Sequence, residues 1–231
     1  MSKVSVVCVS WGNKFSDDYV LNLKAMVERN TTVDHEFICF TDHILPKVDF
    51  RILDEGYEGW WNKLQLFNLK WKLSDRVVYF DLDTLITGDL DWLMKYDGKF
   101  MGIEDVGAVN SHQPHLKNVL QTGVMAFDSR MNTDIWLNLS QSMQENQKHF
   151  RGDGELLDHY MSPLRRDLLQ HLYPGRLKSY KYQVYPNRPD KKTSIICFHG
   201  RPSIEQAMSV PITTPLATYK PVNWISEYWR R

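Results

Sequence analysis

The chain has 231 residues, and Lys plus Arg and Asp plus Glu both total 28, so its formal net charge is zero. The length suffices to bury a substantial core, while balanced charge with no acidic or basic tail removes the footprint of a nucleic-acid or anionic-membrane binder. No apolar stretch approaches the ~20 residues of a membrane span, and the run after Met1-Ser2-Lys3 is only about seven residues, short for a signal peptide.

Val4 to Ser10 reads as a buried strand. Ser16 then caps a predicted helix with Asp17 and Asp18 in its first turn, favourable at the positive end of the dipole. Tyr19, Leu23, Met26 and Val27 follow on one helical face. Glu36 to Thr41 and Phe50 to Leu53 read as strands. Trp60, Leu64, Phe67 and Trp71 mark a second amphipathic helix, and Val77 to Ile86 follows as a strand that runs into Asp81 and Asp83. Such β-α-β alternation points to a largely parallel sheet with helices on its faces.

The second half is less regular. Phe100 to Glu104, Gly123 to Asp128 and Ile195 to His199 read as strands, and Asn132 to Gln147 as a helix with Ile135, Leu139 and Met143 on one face. Arg165 to Lys192, basic and rich in Tyr and Pro, reads as loop with short elements. Trp224, Tyr228 and Trp229 predict an amphipathic tail helix that docks on the body, with a partner as the alternative. Nothing marks an internal repeat or a linker, so one mixed α/β domain over 1–231 is the economical organisation. Cys8, Cys39 and Cys197 sit in apolar runs without metal-site spacing, which points to reduced, packed thiols and a cytoplasmic protein. In that setting the Asn30-Thr31-Thr32 and Asn138-Leu139-Ser140 acceptor patterns carry no weight. The eight Trp fit both core filling and a cleft that stacks flat rings or sugar faces.

Asp81 and Asp83 are the residues that point to chemistry. In a strand, residues two apart share a face, which would put the carboxylates roughly 6–7 Å apart and repelling by about 2–3 kcal/mol at an effective dielectric near 20. A hard divalent cation relieves that repulsion and keeps sites open for phosphate oxygens. Ligands of open α/β sheets bind beyond the carboxyl ends of strands. There the sequence places Trp11, Gly12, Asn13 and Lys14 after the first strand, Thr41 and Asp42 at the end of the second, and His199, Gly200 and Arg201 after the last. Imidazole joined to carboxylates suits Mn²⁺, so His199 is a third candidate ligand.

These segments resemble, in order along the chain, the GT-A fold nucleotide-sugar glycosyltransferases, and among them the family-8, glycogenin-like enzymes. The matching pieces are Trp11-Gly12-Asn13-Lys14-Phe15, Asp17-Asp18-Tyr19-Val20, Gly59-Trp60-Trp61-Asn62-Lys63-Leu64, Tyr79-Phe80-Asp81-Leu82-Asp83-Thr84, Gln121-Thr122-Gly123-Val124-Met125-Ala126-Phe127, Gly152-Asp153-Gly154-Glu155-Leu156-Leu157 and Phe198-His199-Gly200-Arg201-Pro202. The resemblance implies a single Rossmann-like domain with a mixed, mostly parallel sheet flanked by helices. Residues 1–105 would form the nucleotide-binding half and 106–231 the donor-sugar and acceptor half.

It further implies metal-dependent transfer from a UDP-sugar to a hydroxyl on a carbohydrate, lipid-linked or protein acceptor, with retention. Asp81, Asp83 and His199 would hold Mn²⁺ or Mg²⁺. Trp11 to Lys14, Thr41, Asp42, Asp81 and Leu82 would border the nucleotide. Lys63, Gly200 and Arg201 would lie near the diphosphate. Thr122, Gly123 and Asp153 would face the donor sugar. The chain departs from the family at Gln121-Thr122-Gly123, where Asn-Ala/Ser-Gly is usual, and at Gly154, where the family carries Gln. It also lacks the lysine that often follows the His-Gly pair, leaving Arg201 as its substitute. If transfer inverts, Asp153 or Glu155 is the base candidate. Two rivals stand: a haloacid-dehalogenase-type phosphatase, which also begins with strand-Asp-x-Asp, and a nucleotide-sugar-binding module without turnover, which Gly154 favours.

Overall fold

The computed structural model describes residues 3–107, 117–141, 143–161, 165–215 and 217–231. Met1 and Ser2, at the head of the short apolar run, and residues 108–116, early in the predicted second half, lie outside the described residues. In chain order the strands are β1 (Val4–Ser10), β2 (His35–Thr41), β3 (Asp49–Ile52), β4 (Arg76–Phe80), β5 (Thr84–Ile86), β6 (Phe100–Glu104), β7 (Leu120–Asp128), β8 (Asp167–Leu168), β9 (Leu177–Ser179), β10 (Ile195–Cys197), β11 (Ile212–Thr213) and β12 (Thr218–Tyr219). The helices are α1 (Asp17–Asn30), α2 (Asp91–Met94), α3 (Asn132–Ser140), α4 (Met143–His149), α5 (Asp153–Tyr160), α6 (Leu169–Leu172) and α7 (Ile204–Ser209).

A seven-stranded sheet runs β3-β2-β1-β4-β7-β6-β8. β3, β2, β1 and β4 are mutually parallel, with Val4 opposite His35 and Arg76, whereas β7 lies antiparallel between β4 and β6. The sheet is therefore mixed and mostly parallel. A three-stranded sheet, β5-β10-β9, and the β11-β12 hairpin complete the strands.

Alternate residues of the central strands feed two cores, because side chains along a strand alternate between faces. Val6, Cys8, Val78 and Phe80 join Leu23, Met26 and Val27 of α1 and Ile195 and Ile196 of the small sheet. Val7, Val9, Val77 and Tyr79 join Leu64, Phe67, Leu156 and Leu157. Leu23 is fully buried, so burying it contributes about 1.5–3 kcal/mol. The three cysteines are buried and free. Among the described residues no helix is long and apolar enough to cross a membrane.

Four local expectations change. Ser16 takes the N-cap position with extended backbone but its side chain makes no capping bond. The predicted second helix is two 3₁₀ segments, Gly59–Phe67 and Leu69–Trp71. Asn68 divides them, with extended backbone and a side chain that accepts from the Lys70 amide, the competition with helix that Asn is prone to. The helix expected over Asn132 to Gln147 is α3 followed by α4. The tail is a short 3₁₀ segment, Asn223–Glu227, that docks through buried Trp224, Ile225 and Trp229.

Candidate active site

β4 ends at Phe80, so Asp81 and Asp83 do not share a strand face as the sequence predicts. They flank Leu82 in a tight turn closed by the Thr84 amide donating to the Asp81 carbonyl at 3.1 Å. The turn still aims both carboxylates at one cleft, because Asp81 and Asp83 line each of two adjoining cavities.

The larger cavity, about 560 Å³, is lined by Lys63, Thr84, Gln121, Thr122, Gly123, Asp153, Gly154, Glu155, His199 and Gly200, with Trp60 and Arg151 at its rim. The smaller, about 210 Å³, is lined by Val9, Trp11, Lys14, Phe15, Tyr79 and Leu82. Trp60, Lys63, Asp81 and Asp83 belong to both and mark the junction.

Lys63 is the charge centre of that junction. Its ammonium stands 2.8 Å from Asp81 Oδ1, 3.5 Å from Asp153 Oδ2 and 3.3 Å from Thr122 Oγ1. Burial works to lower its pKa, but Asp153 and Asp81 overcome it and hold the ammonium above the ordinary lysine value. Tyr79 donates to Asp81 Oδ1 at 2.5 Å and Thr122 donates to Asp153 Oδ2. Burial pushes the Asp153 carboxyl up, against the pull of Lys63 and Thr122.

Asp83 differs. No cation bonds to it among the described residues, and burial followed by the charge of Asp81 pushes its carboxyl up to about 7. His199 is held by a 2.7 Å hydrogen bond between its Nε2 and Ser179 Oγ. Burial, then Lys181, pushes the imidazole down to about 4, so it is neutral at physiological pH. Among the described residues no three His, Cys, Asp or Glu side chains stand close enough to enclose a metal ion.

Gly12, Asn13, Thr41, Asp42 and Arg201 do not line either cavity. Asp42 instead accepts from the Gly12 amide at 2.7 Å, with Gly12 at φ 59°, a conformation glycine adopts without strain. Burial raises the Asp42 pKa, yet the Gly12 amide and His43 together hold it below the usual carboxylate range. His43 bridges Asp42 at 2.8 Å and Asp17 at 3.0 Å. Thr41 is fully buried and 3.1 Å from the His43 ring. Asp42 thereby ties down the Trp11–Lys14 loop, and His43 holds Asp42 in turn. Glu155 accepts from the Arg151 amide at 2.6 Å, which lowers its pKa.

Sequence reasoning gave Trp60, Arg151 and Cys197 no role, although each lines the larger cavity. Trp60 is 55% exposed, and an amphipathic-helix reading hides that. Gln121 donates to Asp105 at 2.8 Å, and its Oε1 lies 2.7 Å from where a Cβ would stand on Gly154.

No protein-family model matches the chain, and no curated protein matches its sequence. In three dimensions it is similar to the glycosyltransferase GlyE of Streptococcus pneumoniae TIGR4, with TM-score 0.66 and 12% identity over 91% of this chain. It is similar to the bifunctional glycosyltransferase WbbM, with TM-score 0.62 and 14% identity over 88% of this chain. It is likewise similar to the galactosyltransferase LgtC in complex with donor and acceptor sugar analogues, with TM-score 0.61 and 13% identity over 87% of this chain. The chain has the GT-A glycosyltransferase fold. It spans 58% of the GlyE chain, 47% of the WbbM chain and 88% of the LgtC chain. Within the GT-A fold, the cleft lies beyond the carboxyl ends of β1 and β4, where open α/β sheets bind ligands.

Proposed function

We propose that this chain transfers a sugar from a nucleoside-diphosphate sugar, a UDP-sugar, to an acceptor hydroxyl, with Mn²⁺ or Mg²⁺ held at Asp81 and Asp83. The observation that carries the reading is the placement of both carboxylates at the junction of two cavities, in a fold whose solved neighbours are glycosyltransferases. Asp83 supports the cation. A carboxyl pushed up to about 7 by burial and a neighbouring carboxylate is a charge without a counter-ion. Asp81 and Asp83 would hold the ion; His199 lines the same cavity, but the three do not stand close enough as they lie to enclose it, so the imidazole would have to approach to complete a set that suits Mn²⁺. In the tautomer whose Nε2–H donates to Ser179 Oγ, the His199 Nδ1 lone pair would be left to the ion, as second-shell bonds of metal ligands arrange. When bound, the cation supplies Lewis-acid stabilisation of the charge on the departing diphosphate.

The chain's own residues then divide the work. Trp11 and Lys14 line the smaller cavity, which draws on Val9 to Asp83, inside the half 1–105, and would take the nucleotide. Asp42 fixes their loop through Gly12. Lys63 locks Asp81 and Asp153 in place. Thr122, Gly123 and Asp153 face the donor sugar, and the acceptor hydroxyl, carried by a carbohydrate, a lipid-linked sugar or a protein, would enter past Trp60. Retention is favoured over inversion. Glu155 is tied to Arg151, and Asp153 Oδ2 is shared by Lys63 and Thr122, so each carboxylate is spent on positioning. The buried free thiols fit work in the cytoplasm.

Thermal-shift titration with UDP-sugars, with and without Mn²⁺, tests the reading. A shift abolished by chelator is expected in the wild type and absent in Asp83→Ala, which should lose about 10²-fold or more in transfer. Wild-type-like transfer by Asp83→Ala refutes the metal assignment. Mn²⁺-dependent UDP binding without transfer or donor hydrolysis would instead make the chain a binding module, and hydrolysis of p-nitrophenyl phosphate would restore the phosphatase.

A further inference from the structure

Cys197, Phe198, His199 and Gly200 form one stretch of the larger cavity's lining. Against that wall packs the wide turn Tyr180–Val184 after β9, closed by the Tyr185 amide donating to the Tyr180 carbonyl at 2.8 Å. Tyr180 stacks on Phe198 with ring centroids 4.2 Å apart, and Tyr182 lies 5.4 Å from the His199 ring. Such i to i+5 turns concentrate at functional sites.

This turn carries Lys181. Its Nζ lies 3.9 Å from where a Cβ would stand on Gly200, and the residue is half-buried. None of the described residues makes an ion pair with it. Burial lowers its pKa and Asp83 partly offsets this, so its charge is felt by both Asp83 and His199. The cations that line this cavity are committed, Lys63 to Asp81 and Asp153 and Arg151 to Glu155, and Lys14 of the adjoining cavity lies over the Phe15 ring. Neither Arg201 nor Lys181 lines the cavity itself, but the Lys181 ammonium reaches Gly200, which does. A half-buried ammonium without a counter-ion is costly, and an anion bound beside it removes that cost.

We infer that Lys181 is the cation that meets the diphosphate of the bound nucleotide, taking the place the sequence assigns to Arg201. The inference rests on the nucleotide-sugar reading above. Lys181 belongs to the turn beside β9, and β9 pairs with β10, so the pairing of the small sheet rather than sequence adjacency delivers it to Gly200.

Calorimetric titration of the full chain with UDP and with uridine, both with Mn²⁺, tests it on Lys181→Gln, Lys181→Arg, Arg201→Gln and the exposed control Lys191→Gln. Lys181→Gln should bind UDP at least tenfold more weakly and uridine within twofold of wild type, Lys181→Arg should recover most of the loss, and the control should match wild type. Wild-type UDP affinity in Lys181→Gln overturns the assignment, as does an equal loss for UDP and uridine, or a loss confined to Arg201→Gln. If the wild type binds no nucleoside diphosphate, the nucleotide-sugar reading fails and takes this one with it; normal wild-type binding with an unaffected Lys181→Gln sinks this one alone.

Discussion

Replacing Lys63 with Met probes the electrostatics of the cleft most directly. The ammonium stands 2.8 Å from one carboxylate and 3.5 Å from another, with only 11% of its side chain exposed. At an effective dielectric of about 20 these separations correspond to gross attractions of about 6 and 5 kcal/mol. Desolvation offsets much of that, and removing one partner of a buried pair costs about 3–5 kcal/mol. This is a large share of the ~5–15 kcal/mol that holds a domain together. The sign of the pH dependence follows from Asp153, whose folded pKa burial already raises against the pull of Lys63. Without Lys63 it rises further. A carboxyl with a folded pKa above its unfolded value of about 3.9 loses stability as pH rises through the folded value. Urea unfolding followed by tryptophan fluorescence should therefore show a larger deficit at pH 8 than at pH 5, and Asp153→Asn in the Lys63→Met background should recover part of it. A deficit below about 1 kcal/mol, or one equal at both pH values, would refute the description of Lys63 as the buried counter-ion.

Two further expectations concern α2 and α5. Asp91 accepts from the Thr32 hydroxyl at 2.6 Å, the Thr32 amide at 2.8 Å and the Thr31 hydroxyl at 2.7 Å, and these bonds with Lys95 hold its pKa well below the usual range. Asp91→Asn should lose about 1–2 kcal/mol at pH 7. The gap should close as pH falls below the unfolded aspartate value of about 3.9 toward the depressed folded one, so a gap constant down to pH 2 counts against the bonding seen here. Gly154→Ala pushes a Cβ to 2.7 Å from Gln121 Oε1, the end of a flexible side chain. The melting temperature should hardly move, while donor-sugar hydrolysis changes and UDP affinity does not; a loss of stability above about 2 kcal/mol would show a tighter fit than described.

What the sequence made legible is what local pattern encodes. The apolar runs of β1, β2 and β4 announce strands buried on both faces, and Asp81 and Asp83 stand at a strand end where a sheet of this kind binds ligands. His199, after β10, was legible in the same way, whereas Gln121 and Asp153, which reach the cleft from β7 and α5, showed only through the resemblance. The 3₁₀ character of Gly59–Phe67 was not legible, because apolar residues spaced three and four apart serve either helix. Nor was Lys181, which reaches the wall through strand pairing remote in sequence. The exposure of Trp60 was hidden for the opposite reason, since a periodic aromatic reads as core.

The Asp81-Leu82-Asp83 turn is also where the backbone leaves the seven-stranded sheet and enters the three-stranded one: β4 belongs to the first, β5 to the second, and the Phe198 amide donates to the Asp83 carbonyl at 2.9 Å. The paired acids thus straddle a seam. The backbone that carries both carboxylates is therefore shared by two hydrogen-bonded ladders, and the placing of one acid relative to the other is set by how the two sheets meet.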